Sequence, residues 1–301
     1  MHLVRWAAGY LEEKGVESPR LDAELLLAEV LHMSRLDLYL HFDRPVGPDE
    51  LASFKRPLLD RATRMPLQYI LGRTSFRELE LMTDPRVLIP RPETEELVGA
   101  VLDWAKGAGL SGARALDIGT GSGAIAISLA LEGPFEGVVA TDPSEDALDV
   151  ARENARRAGV GDRIDFRRGS FYEPILGPEG VAGAASDRGE RFDVIVSNPP
   201  YVAEEEFDGL EPEIRQWEPR GALVAPDAGL GILRELVDGA GAVLEPGGLL
   251  ALEVGLGQAT WVADRVRSTR RPGAAEAFIE PRVLRDLAGR ECMVLAERRK
   301  D

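Results

Sequence analysis

The residues with the most specific chemistry are Asn198-Pro199-Pro200-Tyr201, which follow directly on the apolar run Phe192–Ser197. Proline removes a backbone donor and stiffens a turn. The carbonyls of Asn198 and Pro199 therefore become fixed acceptors with no local N–H to consume them. The Asn198 carboxamide adds another acceptor, and Tyr201 adds an aromatic face with a polar tip. The set is suited to hold a planar –NH2 group in place.

A second cluster, Asp117-Ile118-Gly119-Thr120-Gly121-Ser122-Gly123, joins an apolar run to a helical one. Glycines let the backbone approach a ligand closely, and a helix start offers free N–H groups. Asp142 ends the next apolar run, where a carboxylate can accept from a ribose diol. Together these predict an adenosine-containing cofactor at the carboxyl edge of a sheet. Two cofactors compete. Gly119, Gly121 and Ala124 satisfy the loose pattern G-x-G-x-x-G/A, whose helix terminus suits a pyrophosphate. Asp117, just before the glycines, suits a ligand carrying positive charge, such as the ammonium and sulfonium of S-adenosylmethionine. A turn that only permits tight packing is a third reading, and the position of Asp142 counts against it.

The elements that must position these residues alternate. The pattern predicts strands at 113–118, 138–141, 164–167, 192–197 and 249–254. It predicts helices at 124–131, 144–158 (capped by Ser144, closed by Gly159) and 230–244. That alternation implies a parallel doubly wound sheet with right-handed crossovers. Two further strands, at 277–279 and 293–297, are separated by a short segment, so the last pairing is expected to be antiparallel. Residues 177–190 are small and polar and read as a surface loop without chemistry.

Residues 1 to 72 read as a small helical bundle. Ser18-Pro19 is an N-cap with proline at the first helical position, and Leu21, Leu25, Ala28 and Leu31 recur at helical spacing. Gly47-Pro48-Asp49-Glu50 opens another helix, with Leu51, Phe54, Leu58 and Ala62 on one face. Between bundle and sheet, Leu79, Leu81, Val87 and Ile89 alternate around Asp84-Pro85, which predicts a linking hairpin. Glu93-Thr94-Glu95-Glu96 then opens a helix reaching Lys106, with acids at its positive end. The expected divisions are 1–73, 74–91 and 92–301.

The 301 residues include 36 basic and 52 acidic side chains, a formal charge of −16. Such a chain gains little from phosphate electrostatics, which weakens a nucleic-acid reading. The arginine-rich stretch Arg152 to Arg168 reads as a solvated face. The three histidines, His2, His32 and His41, all precede the glycine turn, which excludes a Ser-His-Asp triad or a His/Cys zinc cluster downstream. The one cysteine, Cys292, forms no intrachain disulfide and reads as a core residue. The N-terminus lacks a signal-peptide pattern, and the apolar stretch Ala124–Leu131, broken by Ser128, is far short of the roughly 18 to 20 residues of a membrane helix. The expectation is a cytoplasmic monomer that binds no membrane and no stable nucleic acid.

Asp-x-Gly-x-Gly-x-Gly together with Asn-Pro-Pro-Tyr resembles class I methyltransferases acting on planar amide or amine nitrogens. Further segments resemble the PrmC/HemK group of protein-(glutamine-N5) methyltransferases: Pro66–Gly72, Leu88–Glu95, Glu218–Leu223 and Leu244–Gly248. The resemblance covers nearly the whole chain. It implies a Rossmann-like, mostly parallel seven-stranded sheet with an antiparallel last strand, plus an N-terminal helical domain that grips the protein substrate. A sister group that modifies a ribosomal protein carries Pro-Arg-Ser-Pro where this chain has Pro90-Arg91-Pro92-Glu93, which favours the release-factor branch. Relatives often have an acid at the position of Ser170; here Phe171 is left to cover the adenine ring.

The resemblance implies transfer of a methyl group from S-adenosylmethionine to the glutamine of the Gly-Gly-Gln motif of class 1 release factors. The implied cofactor residues are Asp117, Gly119, Thr120, Gly121, Ser122, Gly123, Asp142, Phe171 and Asn198. The implied substrate residues are Asn198, Pro199, Pro200 and Tyr201, with Asn198, Pro199 and Tyr201 carrying catalysis. No metal is expected. The alternatives are methylation of a ribosomal-protein glutamine, an adenine-N6 nucleic-acid methyltransferase, an S-adenosylmethionine-binding partner protein without catalysis, and an NAD-dependent oxidoreductase lacking an evident acid–base motif.

Overall fold

The computed structural model describes residues 2–177, 189–270 and 276–300, so most of the loop expected at 177–190 lies outside the described residues. Contacts divide the chain into two units: Met1–Thr74 with Leu210–Glu218, and Ser75–Gly209 with Pro219–Asp301.

The first unit contains α1 (His2–Glu13), α2 (Pro19–Val30), α3 (Arg35–Leu40), α4 (Pro48–Ala62) and α5 (Leu67–Leu71). Leu11, Leu26 and Phe54 are fully enclosed in its core. Two expectations for α2 need correction. Ser18 makes no side-chain cap hydrogen bond. Nor is the inward face the one that apolar spacing picks out: Leu21 is exposed while Asp22 and Glu24 are buried. Charge pairing overrides the apolar pattern here. Arg61 Nε donates to Asp22 at 2.6 Å, and Glu24 accepts from Arg35 at 2.6 Å and from Arg20 at 3.0 Å. Buried carboxylates survive when they are paired and hydrogen-bonded. Arg61 also donates to Glu213 at 3.0 Å, as does Arg64 at 2.6 Å, and this pins the segment 210–218 (helix α10, Pro212–Trp217) to the bundle.

The hairpin is shorter than the alternation implies. Strands β1 (Arg73–Phe76) and β2 (Leu79–Met82) pair around Arg77, which adopts φ +52°. Val87 and Ile89 are buried but lie outside any strand, because Asp84-Pro85 ends the pairing with a turn closed by Val87 N–H on the Asp84 carbonyl.

The second unit is built on a seven-stranded sheet in the order β5-β4-β3-β6-β7-β9-β8. Its strands are β3 (Ala113–Ile118), β4 (Phe135–Asp142), β5 (Ile164–Arg168), β6 (Phe192–Ser197), β7 (Leu244–Glu253), β8 (Arg282–Arg285) and β9 (Glu291–Glu297). The β5-β4-β3-β6-β7 run is parallel, and β9 runs antiparallel to both β7 and β8. The penultimate strand is therefore 282–285; the expected strand at 277–279 reduces to a single bridge between Phe278 and Arg298. Helices α6 (Pro92–Gly107), α7 (Ala124–Glu132), α8 (Glu145–Arg157), α9 (Glu173–Leu176), α11 (Gly231–Val243) and α12 (Ala259–Ser268) accompany the sheet. Apolar side chains enclose it in two clusters, one including Leu97, Ile127 and Val196, the other Leu116, Ile195 and Leu250. Strand order reverses between β3 and β6, so the carboxyl ends of these two strands form the crevice where such sheets bind ligands.

Candidate active site

Register brings the two motifs together. Asp117 on β3 lies beside Val196 on β6 and Ala140 on β4. Ser197 Oγ donates to the Ile118 carbonyl at 2.6 Å and fastens the ends of β3 and β6 just before each strand enters its motif. A cavity of about 430 Å³ opens there. Gly119, Gly121, Asp142, Phe171, Asn198, Pro199 and Pro200 all line it.

The glycine turn sorts into a face and a frame. Gly119 and Gly121 adopt φ +75° and +54°, and a Cβ on either would meet nothing within 4 Å. Both therefore leave open cavity where a side chain would project. Thr120, Ser122, Gly123 and Asp117 are absent from the cavity wall and form the frame. Asp117 Oδ2 accepts from Thr120 Oγ1 at 2.7 Å and from the Ala126 N–H at 3.1 Å. The carboxylate thus occupies a first-turn donor of α7 that a pyrophosphate would need. Burial pushes the Asp117 carboxyl up to about 7. The Ser122 carbonyl accepts from Asn154 Nδ2 at 2.9 Å. Gly123, at φ +84°, packs where a Cβ would lie 3.0 Å from Ile127 Cδ1 and 3.2 Å from Ala151 Cβ.

Asp142 closes β4 with both oxygens engaged by backbone, Oδ2 by Gly121 N–H at 3.0 Å and Oδ1 by Ser144 N–H at 2.9 Å. Burial raises its pKa, against these two bonds. Phe171 sits at φ +50° and lines the cavity beside Ser170.

On the opposite wall, Pro199 is buried, and Asn198 and Pro200 are partly so. Asn198 Nδ2 donates to Thr94 Oγ1 at 2.9 Å, and Thr94 Oγ1 donates to Glu253 Oε2 at 2.7 Å. Thr94 and Glu253 escape a sequence reading. The only signals are the Pro92-Glu93-Thr94-Glu95 segment and a lone acid closing the apolar run Leu249–Leu252. Tyr201 is not in the cavity wall. Its ring packs on the second core cluster, and its carbonyl accepts from Gln258 Nε2 at 2.9 Å.

The cavity fits S-adenosylmethionine on two counts. Side-chain-free backbone lines it at Gly119 and Gly121, and Asp142 offers a fixed carboxylate.

Residues 110–253 match a methyltransferase domain, and residues 2–72 match the PrmC N-terminal domain. The crystal structure of the hMettl16 catalytic domain has the same fold, with a TM-score of 0.55 at 17% identity over 81% of this chain and 80% of that one. The fold and the cavity define a class I methyltransferase, whose methyl donor is S-adenosylmethionine. The release factor glutamine methyltransferase of Geobacter sulfurreducens is 43% identical over 257 residues, 85% of this chain and 84% of that protein. That of Moorella thermoacetica is 40% identical over 297 residues, 99% and 96% of the two chains. The chain belongs to the family of release factor glutamine methyltransferases.

Proposed function

We propose that this chain methylates the side-chain amide nitrogen (N5) of the glutamine in the Gly-Gly-Gln motif of class 1 peptide-chain release factors. The observation that carries the reading is one cavity with two walls. A glycine-and-carboxylate wall suits a nucleoside, and the Asn198-Pro199 wall presents acceptors for a planar –NH2. The names of the relatives support the choice of substrate.

S-adenosylmethionine, when bound, supplies an electrophilic methyl group and leaves as a neutral thioether. Asp142, Gly119, Gly121 and Phe171 would hold it, with Asp117 behind the turn. The chain's own residues then have a positioning task. An amide nitrogen is a poor nucleophile because its lone pair is delocalised. The Asn198 carboxamide oxygen and the Pro199 carbonyl accept the two amide hydrogens. That fixes the nitrogen's direction and raises its electron density. Alignment of this kind is worth up to roughly 7–11 kcal/mol. The product proton passes to water. Tyr201 acts from behind, where its ring braces the turn. The reading places the reaction in the cytoplasm, in a monomer.

The test is mass spectrometry of unmethylated release factor incubated with this protein and S-adenosylmethionine, with large-subunit ribosomal proteins and DNA in parallel. One methyl on the Gly-Gly-Gln glutamine, lost with Asn198→Ala, is the expected result. Transfer only to another acceptor would overturn the substrate assignment.

A further inference from the structure

The Asn198 carboxamide can do its task only if its oxygen, not its nitrogen, faces the substrate amide. Its two ends are nearly identical in shape, so something must choose between them. The choice lies outside the cavity, on α6 and β7. Thr94 is 4% exposed and Glu253 2% exposed. A threonine hydroxyl has one proton to donate. Here that proton goes to Glu253 Oε2 at 2.7 Å, so Thr94 Oγ1 is left only as an acceptor. It accepts from Asn198 Nδ2 at 2.9 Å. The Asn198 amide also bears directly on the Glu253 carboxyl and helps hold its charge. The nitrogen end is thereby consumed and the oxygen end remains for the cavity.

We propose that Thr94 and Glu253 are positioning residues that set the polarity of the Asn198 carboxamide, so that its oxygen faces the methyl-accepting nitrogen. This rests on the amide-methylation reading above. The chain has a direction because an ionised carboxylate only accepts. If Glu253 is protonated it can donate to Thr94, and the Thr94 proton can then turn to Asn198 Oδ1. The charged and titratable groups around Glu253 are Arg91 and Glu93 at the start of α6, Tyr201 after β6 and Cys292 on β9. Of these, Glu93 works against ionisation and Arg91 for it, and burial places the Glu253 carboxyl at about 7. The polarity of the chain therefore follows the protonation of Glu253.

The experiment compares the full-length wild type with Thr94→Val, Thr94→Ser and Glu253→Gln. Valine keeps the shape of threonine and removes the hydroxyl. Thr94→Val should lose about 100-fold in kcat, the scale of a small misplacement at a reacting centre. Its affinity for S-adenosylmethionine should stay within about threefold, a change too small to account for that loss. Thr94→Ser should restore most of the rate. The wild-type kcat should rise between pH 6 and 8, and Glu253→Gln, which does not titrate, should flatten that rise. Full activity in Thr94→Val, or an unchanged profile in Glu253→Gln, overturns the proposal. A readout independent of substrate separates this from a wrong substrate assignment. The Asn198 side-chain NH2 signals, identified by their loss in Asn198→Asp, should exchange slowly in the wild type and fast in Thr94→Val. Unchanged exchange overturns the positioning role even if the release factor is not the acceptor. A wild type that leaves the release factor unmethylated, with the exchange difference present, overturns only the substrate.

Discussion

The Asp142 carboxylate and the Gly121 amide are joined at 3.0 Å, so the carboxyl end of β4 holds the glycine turn that follows β3. Asp142 thus has two tasks, shaping the turn and presenting acceptors to the cavity. Asp142→Ala removes both. It should weaken S-adenosylmethionine binding by about 10- to 100-fold, or roughly 1.4–2.8 kcal/mol. Isothermal titration calorimetry checks this. Affinity within a factor of two of wild type would remove Asp142 from the cofactor site.

Gly119 and Gly123 should respond differently to alanine. Both have positive φ, which costs an L-residue roughly 1–2 kcal/mol. At Gly119 the new methyl would enter open cavity, so the added harm falls on cofactor affinity. At Gly123 it would press on Ile127 and Ala151, so the added harm falls on the fold. Gly119→Ala should show the larger loss in calorimetric affinity, and Gly123→Ala the larger drop in urea midpoint. The reverse order would invert the division into face and frame.

Arg61 is 6% exposed and serves Asp22, Glu213 and the Met65 carbonyl. Removing one partner of a buried ion pair strands the others, at a cost of about 3–5 kcal/mol. Arg61→Ala should destabilise the bundle by that order in denaturant titration. A change under about 1 kcal/mol would mean that water or Arg64 replaces it.

The two wall motifs were legible in the sequence because each is local. Four consecutive residues, or seven, carry their own chemistry, and the alternation of elements says that both lie at carboxyl ends. The frame behind them was not legible. Thr94, Asn198 and Glu253 are remote in sequence and meet only through the placement of α6 and the β6–β7 pairing. The buried face of α2 misled for a related reason. Periodicity assigns carboxylates to water, and only the arrival of Arg61 and Arg35 from elsewhere makes Asp22 and Glu24 interior residues. Tyr201 read as a cavity residue from its neighbours, yet the turn sends its ring to the core.

Glu253 also sets a stability signature whose sign can be worked out. Burial raises its carboxyl to about 7 in the folded chain. Between the ordinary carboxylate value and 7, the folded state holds a proton that the unfolded state has released. Stability therefore falls as pH rises through that window. A shift from 4.5 to about 7 corresponds to about 3 kcal/mol, with 1.36 kcal/mol for each unit. Glu253→Gln carries no such penalty. It should match wild type within about 1 kcal/mol at pH 5 and exceed it by up to about 3 kcal/mol at pH 8. Asp117 has the same sign but is present in both proteins, so the difference isolates Glu253. Urea titrations at the two pH values read it directly. A stability difference that does not grow with pH would mean that Glu253 titrates as an ordinary carboxylate, and that its hydrogen bonds to Thr94 and Asn198 outweigh its burial.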